Sequence, residues 1–169
     1  MRGIQLRRLN KSDNSELSKL ANNKKVWDNL RDYIPYPYTK KDADFFIELT
    51  EKEKPNQTFG ISTKKNELCG VIGLVIQEDV YRLTAEIGYW LGEDYWGKGI
   101  ATMAIELITQ YGFEELKLER IHTGVFEFNI ASMKALEKNG YLKDGIFRNN
   151  VIKNNIIYDE HRYSKLKGE

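Results

Sequence analysis

Residues 95–102 read YWGKGIAT and join a predicted strand, Thr84 to Leu91, to a predicted helix. From Gly97 onward apolar residues recur at spacings of three and four, which is typical of an amphipathic helix. The first N–H groups of a helix have no acceptor within it, and together with the positive end of the helix dipole they attract an anion. Gly97 and Gly99 let a bulky phosphate approach the main chain, and Lys98 adds a positive charge. The stretch therefore predicts a phosphate-binding turn, although two glycines at a helix start also fit an ordinary turn.

Two familiar phosphate-binding motifs fit this turn poorly. A dinucleotide fold needs a third glycine, where this chain has Thr102, and it needs an opening βαβ unit, whereas the turn lies in mid-chain. The P-loop of nucleotide triphosphatases requires a Gly-Lys-Ser/Thr sequence, and none follows here. These two motifs therefore do not identify the anion that the turn would bind.

Short strands and helices alternate along the rest of the chain. A capping box at Thr39–Asp42 predicts a helix that carries Phe45, Phe46 and Leu49 on one face, and Ser12 or Asp13 is the candidate cap of an earlier helix with Leu17, Leu20 and Ala21. The predicted strands cover 4–9, 57–63, 67–78, 84–91, 120–126 and a final pair joined around residues 153–155, and a short helix covers 129–138. Because no linker divides the sequence, we predict one α/β (α+β) domain over 1–169. It should have a mixed, largely antiparallel sheet of six to seven strands and about four helices.

The composition excludes several classes of protein. The chain has 169 residues, 41% apolar and 30% charged, and a formal charge of +1, so no global field draws it to nucleic acid or to a membrane. The longest apolar run, 68–76, is too short to cross a bilayer, and the first residues do not resemble a signal peptide, which leads us to expect a cytoplasmic protein. We expect no metal, because no cluster of His, Cys and acidic residues has the spacing of metal ligands.

Four short motifs carry a resemblance to a known family. They are EIGYWL at 86–91, YWGKGIAT at 95–102, NIAS at 129–132 and EKNGY at 137–141. In this order and spacing the chain resembles the GNAT-type N-acetyltransferases, and among them the branch that acetylates the N-terminal alanine or serine of ribosomal proteins. The pyrophosphate loop of that family reads Gln/Arg-x-x-Gly-x-Gly/Ala. Here Trp96 stands at its first position and Gly99 and Ala101 at the others, so the loop offers one polar side chain fewer.

The resemblance implies that acetyl-CoA is bound and that coenzyme A is released. It places the pyrophosphate on Trp96, Gly97, Lys98, Gly99, Ile100, Ala101 and Thr102. The strand before the loop would splay from its neighbour, so that Trp90 and Leu91 hold the pantetheine arm and a backbone N–H near Leu91 polarises the thioester carbonyl. Asn129 and Ser132 would contact the cofactor from the far side, although Asn129 also fits a helix N-cap.

The resemblance also suggests how protons are moved. Many family members protonate the departing thiolate with a tyrosine, but this chain has Leu136 at the matching position. The resembling branch places a serine at the position of Ser132, which we take as the candidate acid. Glu86, on the strand that faces the cofactor, is the candidate base, acting directly or through water. A serine in a first helical turn and a carboxylate paired with a neighbour remain the alternatives.

The acceptor is predicted to be a primary amine, with a peptide or protein N-terminus favoured. An α-amine of pKa about 8 costs only ~1.4 kcal/mol to deprotonate at pH 7, against ~4.6 kcal/mol for a lysine of pKa about 10.4. A site with one carboxylate base and no tyrosine acid suits the easier amine. The candidate acceptor wall lies in the aromatic, proline-containing segment and comprises Trp27, Tyr33, Tyr36 and Tyr38, for which core packing is the alternative.

Two other functions stay open. One is an enzyme that acetylates a small molecule, namely a polyamine, an aminoglycoside or an amino acid. A polyamine or an aminoglycoside would call for an acidic pocket, to which four carboxylates are available: Asp28, Asp32, Asp42 and Asp44. A non-catalytic module that binds acetyl-CoA would keep the turn but would not need Glu86 or Ser132. The resemblance is compatible with a homodimer through the last strands. We interpret His122 and His161 as structural, and Cys69, in an apolar run, as an inert core thiol.

Overall fold

The computed structural model describes residues 3–169, in which seven strands and five α-helices form. The strands are β1 (Ile4–Arg7), β2 (Thr58–Thr63), β3 (Leu68–Ile76), β4 (Thr84–Leu91), β5 (Arg120–Phe126), β6 (Leu142–Lys153) and β7 (Ile156–Leu166). The helices are α1 (Asn14–Ala21), α2 (Lys24–Trp27), α3 (Lys40–Glu51), α4 (Ile100–Glu114) and α5 (Ile130–Lys138). None of the helices among these residues is long and apolar enough to cross a membrane.

The strands form one mixed sheet in the order β1-β2-β3-β4-β5-β7-β6. The pairs β1–β2, β2–β3, β5–β7 and β6–β7 are antiparallel, whereas β4 and β5 run parallel. This confirms the predicted fold class and the largely antiparallel sheet. By their contacts the residues form two compact units. The first comprises the described residues up to Gly73 together with Tyr89–Ala104, and the second comprises Leu74–Gly88 and Ile105–Glu169.

The first unit has its own hydrophobic core between the sheet residues Leu68 and Val71 and helices α1 and α3. Its buried members are Leu9, Leu17, Leu20, Ala21, Tyr38, Ala43, Ile47, Leu68 and Val71. The predicted stripe of α3 is wrong in part, since Phe45 and Leu49 are exposed and only Phe46 packs against the core. The helix is rotated so that the small Ala43 and the branched Ile47 face inward, which spacing alone does not distinguish from the neighbouring apolar positions.

Caps define where the helices of the first unit begin. Thr39 and Asp42 form the predicted capping box of α3. Asp13, one of the two predicted caps, stands at the N-cap position of α1, but its side chain makes no cap hydrogen bond to that helix. Instead it closes a capping box on the short 3-10 turn 11–13, where Asn10 Oδ1 accepts from the Ser12 N–H and Asp13 Oδ2 accepts from the Asn10 N–H. Asp13 is held there by a bidentate pair with Arg7, at 2.7 and 2.8 Å, a use of the carboxylate that local sequence does not reveal.

The second unit contains the end of β3, the first part of β4, strands β5, β6 and β7, most of α4, and helix α5. A Cβ on Gly112 of α4 would lie 2.8 Å from Ile121 and 2.9 Å from Leu74, so the helix packs closely on this face of the sheet. Tyr141 and Tyr163 are buried, and Tyr141 shares a 2.7 Å hydrogen bond with Thr109. The predicted β6–β7 turn is confirmed, because Asn154 and Asn155 adopt φ of +50° and +61°, as tight hairpins require.

Candidate active site

The glycine turn before α4 is left-handed at both glycines. Gly97 and Gly99 have φ of +69° and +75°, a region that residues with a Cβ rarely adopt. The helix therefore begins at Ile100 and not, as predicted, at Gly97. Its first N–H···O=C bond runs from Met103 to Gly99 at 3.2 Å, and the N–H groups before it point to the helix N-terminus. A Cβ on either glycine would meet nothing within 4 Å, so the turn is open and backbone conformation is what requires glycine.

The side chains of the turn are used locally. Trp96 is 40% exposed, and its Nε1–H donates to the carbonyl oxygen of Leu91 at 2.9 Å, which ties the turn to the end of β4. Lys98 Nζ donates to the carbonyl oxygen of Asp94 at 2.5 Å and lies 5.8 Å from the centre of the Tyr95 ring. The turn thus presents backbone N–H groups, while the ammonium of Lys98 is nearby but already hydrogen-bonded to Asp94.

The end of β4 lies unusually close to β3. A Cβ on Gly70 would be 2.1 Å from the carbonyl oxygen of Trp90 and 2.8 Å from the Cα of Leu91. The Gly92 N–H donates to the carbonyl oxygen of Cys69 at 2.9 Å, which fixes the strand end on that side. Gly70 is therefore a residue of the site that our sequence reasoning missed, although a glycine inside an apolar strand is a recognised sign of close backbone approach.

Pairing between β4 and β5 covers only the first half of β4. The register joins Thr84–Glu86 to Arg120–His122 and ends there, while β4 itself continues for five residues to Leu91. Paired residues of neighbouring strands point to the same face, so Glu86 and His122 share one face of the sheet. Glu86 is half-buried there.

A row of charged groups continues from His122 across β7. Arg162 Nη2 lies 3.3 Å from His122 Nδ1, and Arg162 Nη1 lies 3.2 Å from Glu160 Oε2. Glu160 is buried and also accepts from Asn150 Nδ2 at 2.9 Å. A Cβ on Gly124 would be 2.0 Å from Glu160 Oε1 and 2.7 Å from Arg162 Nη1, so the absence of a side chain makes room for the ion pair.

This environment changes the acidity of His122. Burial lowers its pKa below the ordinary value, the positive charge of Arg162 lowers it further, and Glu86 opposes the shift. The imidazole is therefore neutral at pH 7. Sequence reasoning missed this network because His122 and Arg162 are 40 residues apart and meet only through strand pairing.

Asn129 and Ser132 lie at the start of α5. The Asn129 Oδ1 accepts from the Ser132 N–H at 3.1 Å, so Asn129 is the helix N-cap, and its side-chain amide nitrogen is not used by that cap. Ser132 is half-buried. Leu136, which stands where the family often has a tyrosine, is fully buried and takes part in packing alone.

The four aromatic residues of the candidate acceptor wall have different roles. Trp27 Nε1–H donates to the carbonyl oxygen of Ile34 at 2.8 Å and its ring packs on Tyr36, with centroids 5.6 Å apart. Tyr33 and Tyr36 are exposed at 78% and 43%, whereas Tyr38 is buried in the core of the first unit, where burial raises its pKa to about 12. Tyr38 thus supports the segment from below and offers little surface to a ligand.

Carboxylates that were considered for an acidic pocket are bonded within the chain. Asp28 pairs with Lys24, Asp42 caps α3 and Asp44 accepts from the Asn14 side-chain amide at 2.8 Å. The thiol of Cys69 is buried and its pKa is raised, first by desolvation, which supports the interpretation as core. Two clefts, of about 260 and about 370 Å³, contain none of the predicted site residues.

Comparison with known proteins gives the family. Residues 4–142 match the family described as acetyltransferase (GNAT) domain. The probable N-acetyltransferase YjcK of Bacillus subtilis is 40% identical over 116 residues, which are 67% of this chain and 62% of that protein. The putative ribosomal N-acetyltransferase YdaF of the same organism is 39% identical over 102 residues, 60% of this chain and 55% of that protein. The chain therefore matches less than two thirds of the length of each of these two curated relatives.

Among solved structures, the microcin C7 self-immunity acetyltransferase MccE, in complex with acetyl-CoA and AMP, superposes with a TM-score of 0.82. It is 27% identical, and the match covers 99% of this chain and 94% of that chain. The chain belongs to the GNAT acetyltransferase family.

Proposed function

We propose that this chain is an acetyl-CoA-dependent N-acetyltransferase whose acceptor is a primary amine, preferentially the α-amine at a peptide or protein N-terminus. The observation that carries the proposal is the junction of β4 with α4. There a strand end fixed by Gly70 is followed by a turn with two left-handed glycines and an open helix N-terminus. The GNAT relatives, among them MccE with its bound acetyl-CoA, support the choice of this cofactor.

The residues of this junction fit two parts of the cofactor, the pyrophosphate and the pantetheine arm. A pyrophosphate suits the backbone N–H groups at the start of α4, since both glycines are open and the helix dipole favours negative charge. Trp96, Gly97, Lys98, Gly99, Ile100, Ala101 and Thr102 are the residues we assign to it. We assign the pantetheine arm to the backbone of Trp90 and Leu91, beyond the paired part of β4. Asn129 and Ser132 are assigned as further contacts.

When bound, acetyl-CoA supplies a thioester whose acetyl group is transferred as the amine forms a C–N bond and the C–S bond breaks. We assign a backbone N–H near Leu91 to the stabilisation of the carbonyl oxygen, and one such donor lowers the barrier by about 3 kcal/mol. Glu86 accepts the proton that the acceptor ammonium must lose, directly or through water. Ser132 hydrogen-bonds the departing sulfur and relays to it the second proton that the attacking nitrogen loses, so that the serine hydroxyl is restored.

The choice of an α-amine rests on the cost of deprotonation and on the local charges. The site has one carboxylate base, Glu86, and the position of the family's tyrosine acid is occupied by Leu136. Asp28 in the aromatic segment and Asp42 and Asp44 in α3 are already bonded within the chain, which weakens the case for a polyamine pocket built from them. Exposed Tyr33 and Tyr36, with Trp27 behind Tyr36, remain to flank a peptide.

The test is a thiol-release assay with acetyl-CoA and four acceptor classes: N-terminal peptides, polyamines, aminoglycosides and amino acids. We expect release with peptides that have a free N-terminus and background release with N-terminally blocked ones. Glu86→Gln should lose release while it keeps its affinity for coenzyme A in calorimetry. Tight cofactor binding without release on any amine would make the chain a non-catalytic acetyl-CoA-binding module, and failure to bind acetyl-CoA would overturn the proposal.

A further inference from the structure

The charged row on β4, β5 and β7 has a geometry that core packing does not explain. His122 is on β5, which lies between β4 and β7, and its face is opposite to that of Ile121, on which α4 packs. Glu86 is its paired residue on β4, and Ser164 is its paired residue on β7. Arg162, two residues from Ser164 and thus on the same face, reaches the ring from the β7 side.

The contact with Arg162 determines which ring nitrogen carries the proton. A guanidinium has only donors, so Nδ1 of His122 is the acceptor of the 3.3 Å contact. In a neutral imidazole the other nitrogen, Nε2, then holds the hydrogen. Glu86 is the paired residue of His122 on β4, the neighbouring strand on the side away from β7, and its charge acts on the ring.

Arg162 is itself held in place. Its Nη1 contacts the buried carboxylate of Glu160, which Asn150 also binds, and the pair occupies the space above Gly124. A salt bridge in this position fixes the guanidinium, and the guanidinium fixes the ring. The order of contacts therefore runs from Glu160 through Arg162 to His122.

We propose that His122 is a positioning residue for Glu86: Arg162 holds it in the Nε2–H tautomer, so that the ring presents an N–H donor on the side of Glu86. This inference rests on the proposed function, in which Glu86 accepts the proton of the acceptor amine. An N–H donor beside a carboxylate stabilises its ionised form, which is the form that can accept a proton. A doubly protonated His122 would lose its acceptor site for Arg162, and the arrangement would break.

Four charged groups face His122, from each of the strands around it. Glu86 of β4 and Asp144 of β6 favour the protonated ring, whereas Arg162 of β7 and Arg120 of its own strand disfavour it. Burial disfavours it most. Removing Arg162 should therefore raise the pKa of His122, and removing the imidazole should abolish the titration.

The first test does not involve catalysis. The chain has two histidines, so the protein labelled with ¹⁵N-histidine gives two sets of ring signals, assigned with His161→Gln. At pH 7 we expect His122 as the neutral Nε2–H tautomer with a pKa below the ordinary 6.5. Arg162→Gln should raise that pKa. A neutral Nδ1–H tautomer, or no change in Arg162→Gln, would overturn the proposal.

The second test is the pH dependence of kcat for thiol release. His122→Ala should lower kcat at least tenfold with little change in KM for acetyl-CoA, and His122→Gln, which keeps an N–H donor near the position of Nε2, should restore most of it. Because protonation of His122 breaks the arrangement, the acid limb of the kcat profile should follow the pKa of His122. The limb should therefore move to higher pH in Arg162→Gln, where that pKa is raised, and to lower pH in His122→Gln, where the imidazole is gone. A general loss of structure cannot move the limb in both directions.

Two variants guard against ambiguous results. Gly124→Ala keeps every charged group but places a Cβ where Glu160 and Arg162 lie, so it should shift the acid limb as Arg162→Gln does. His161→Gln is the matched control and should leave kcat and the limb unchanged. If wild-type protein releases thiol but the limb stays fixed in His122→Gln, the positioning role is wrong and the acetyltransferase stands. If wild-type protein releases none, the proposed function is wrong, whatever the tautomer.

Discussion

Substitution of Gly70 by alanine tests whether the end of β4 positions the cofactor. The added Cβ would lie 2.1 Å from the carbonyl oxygen of Trp90, and ordinary contacts begin near 3.4 Å, so the two strands must separate by about 1.3 Å (3.4 − 2.1). The clash is with backbone atoms, which no side-chain rotation relieves. Overpacking of this kind costs about 1–3 kcal/mol of the free energy of unfolding. At ~2–4 °C per kcal/mol for a chain of this size, Tm should fall by ~2–12 °C.

The same displacement should reach the reaction. Misplacement of reacting groups by about 1 Å costs roughly 10²-fold in rate. We therefore expect kcat/KM for thiol release to fall by about that factor in Gly70→Ala, and the Kd for coenzyme A, measured by calorimetry at 25 °C, to rise. Gly145→Ala is the control, since its Cβ meets nothing within 4 Å and its φ is not left-handed. A folded Gly70→Ala protein with wild-type coenzyme A affinity and turnover would refute the assignment of Trp90 and Leu91.

Three further predictions follow from single contacts. Gly99→Ala, at φ +75°, should lose about 1–2 kcal/mol of the free energy of unfolding. It should also bind coenzyme A more weakly than Gly145→Ala in calorimetry. Equal affinities would contradict binding of the cofactor by the backbone of the turn. Ser132→Ala keeps the helix cap, which uses the Ser132 N–H, so a fall in kcat of ~10²-fold or more would reflect its hydroxyl, and unchanged turnover would remove Ser132 from the mechanism. The lowered pKa of His122 means that the folded protein resists protonation, so the free energy of unfolding should decline as pH falls below about 6.5 and toward the folded-state pKa. Urea unfolding at pH 7 and 5 should show a smaller decline in His122→Gln, and an equal decline would contradict the shift.

Local signals in the sequence determined much of the fold. The bounds of β4 and β5 were predictable from apolar patterning, and the β6–β7 turn from asparagine, since these elements depend on neighbours in the chain. The residue at which α4 starts was not predictable, because the pattern of apolar residues does not reveal that Gly97 and Gly99 adopt a left-handed backbone conformation. The stripe of α3 failed for a related reason, as Phe45 and Leu49 satisfy the same spacing as the residues that are buried.

The residues of the candidate site also separate into those that local sequence indicates and those that depend on distant contacts. A turn before the helix was predictable from the glycines at 97 and 99, and its assignment to the cofactor pyrophosphate stays a prediction that rests on the order of residues 95–102. The contributions of Gly70, His122 and Arg162 depend on which strands pair and in which register, and no local pattern encodes that register. Tyr38 could not be separated from the exposed Tyr33, because an aromatic segment broken by prolines has no period from which burial can be inferred.

The most direct test of the central claim is mass spectrometry of one peptide that carries both a free α-amine and an internal lysine, after incubation with acetyl-CoA and this protein at pH 7. Fragmentation locates the acetyl group, and a reaction without protein gives the background. The difference of about 3 kcal/mol in deprotonation cost between the two amines favours the N-terminus. The account predicts enzyme-dependent acetylation at the α-amine that Glu86→Gln abolishes. Acetylation confined to the lysine, or none above background on any amine, would contradict it.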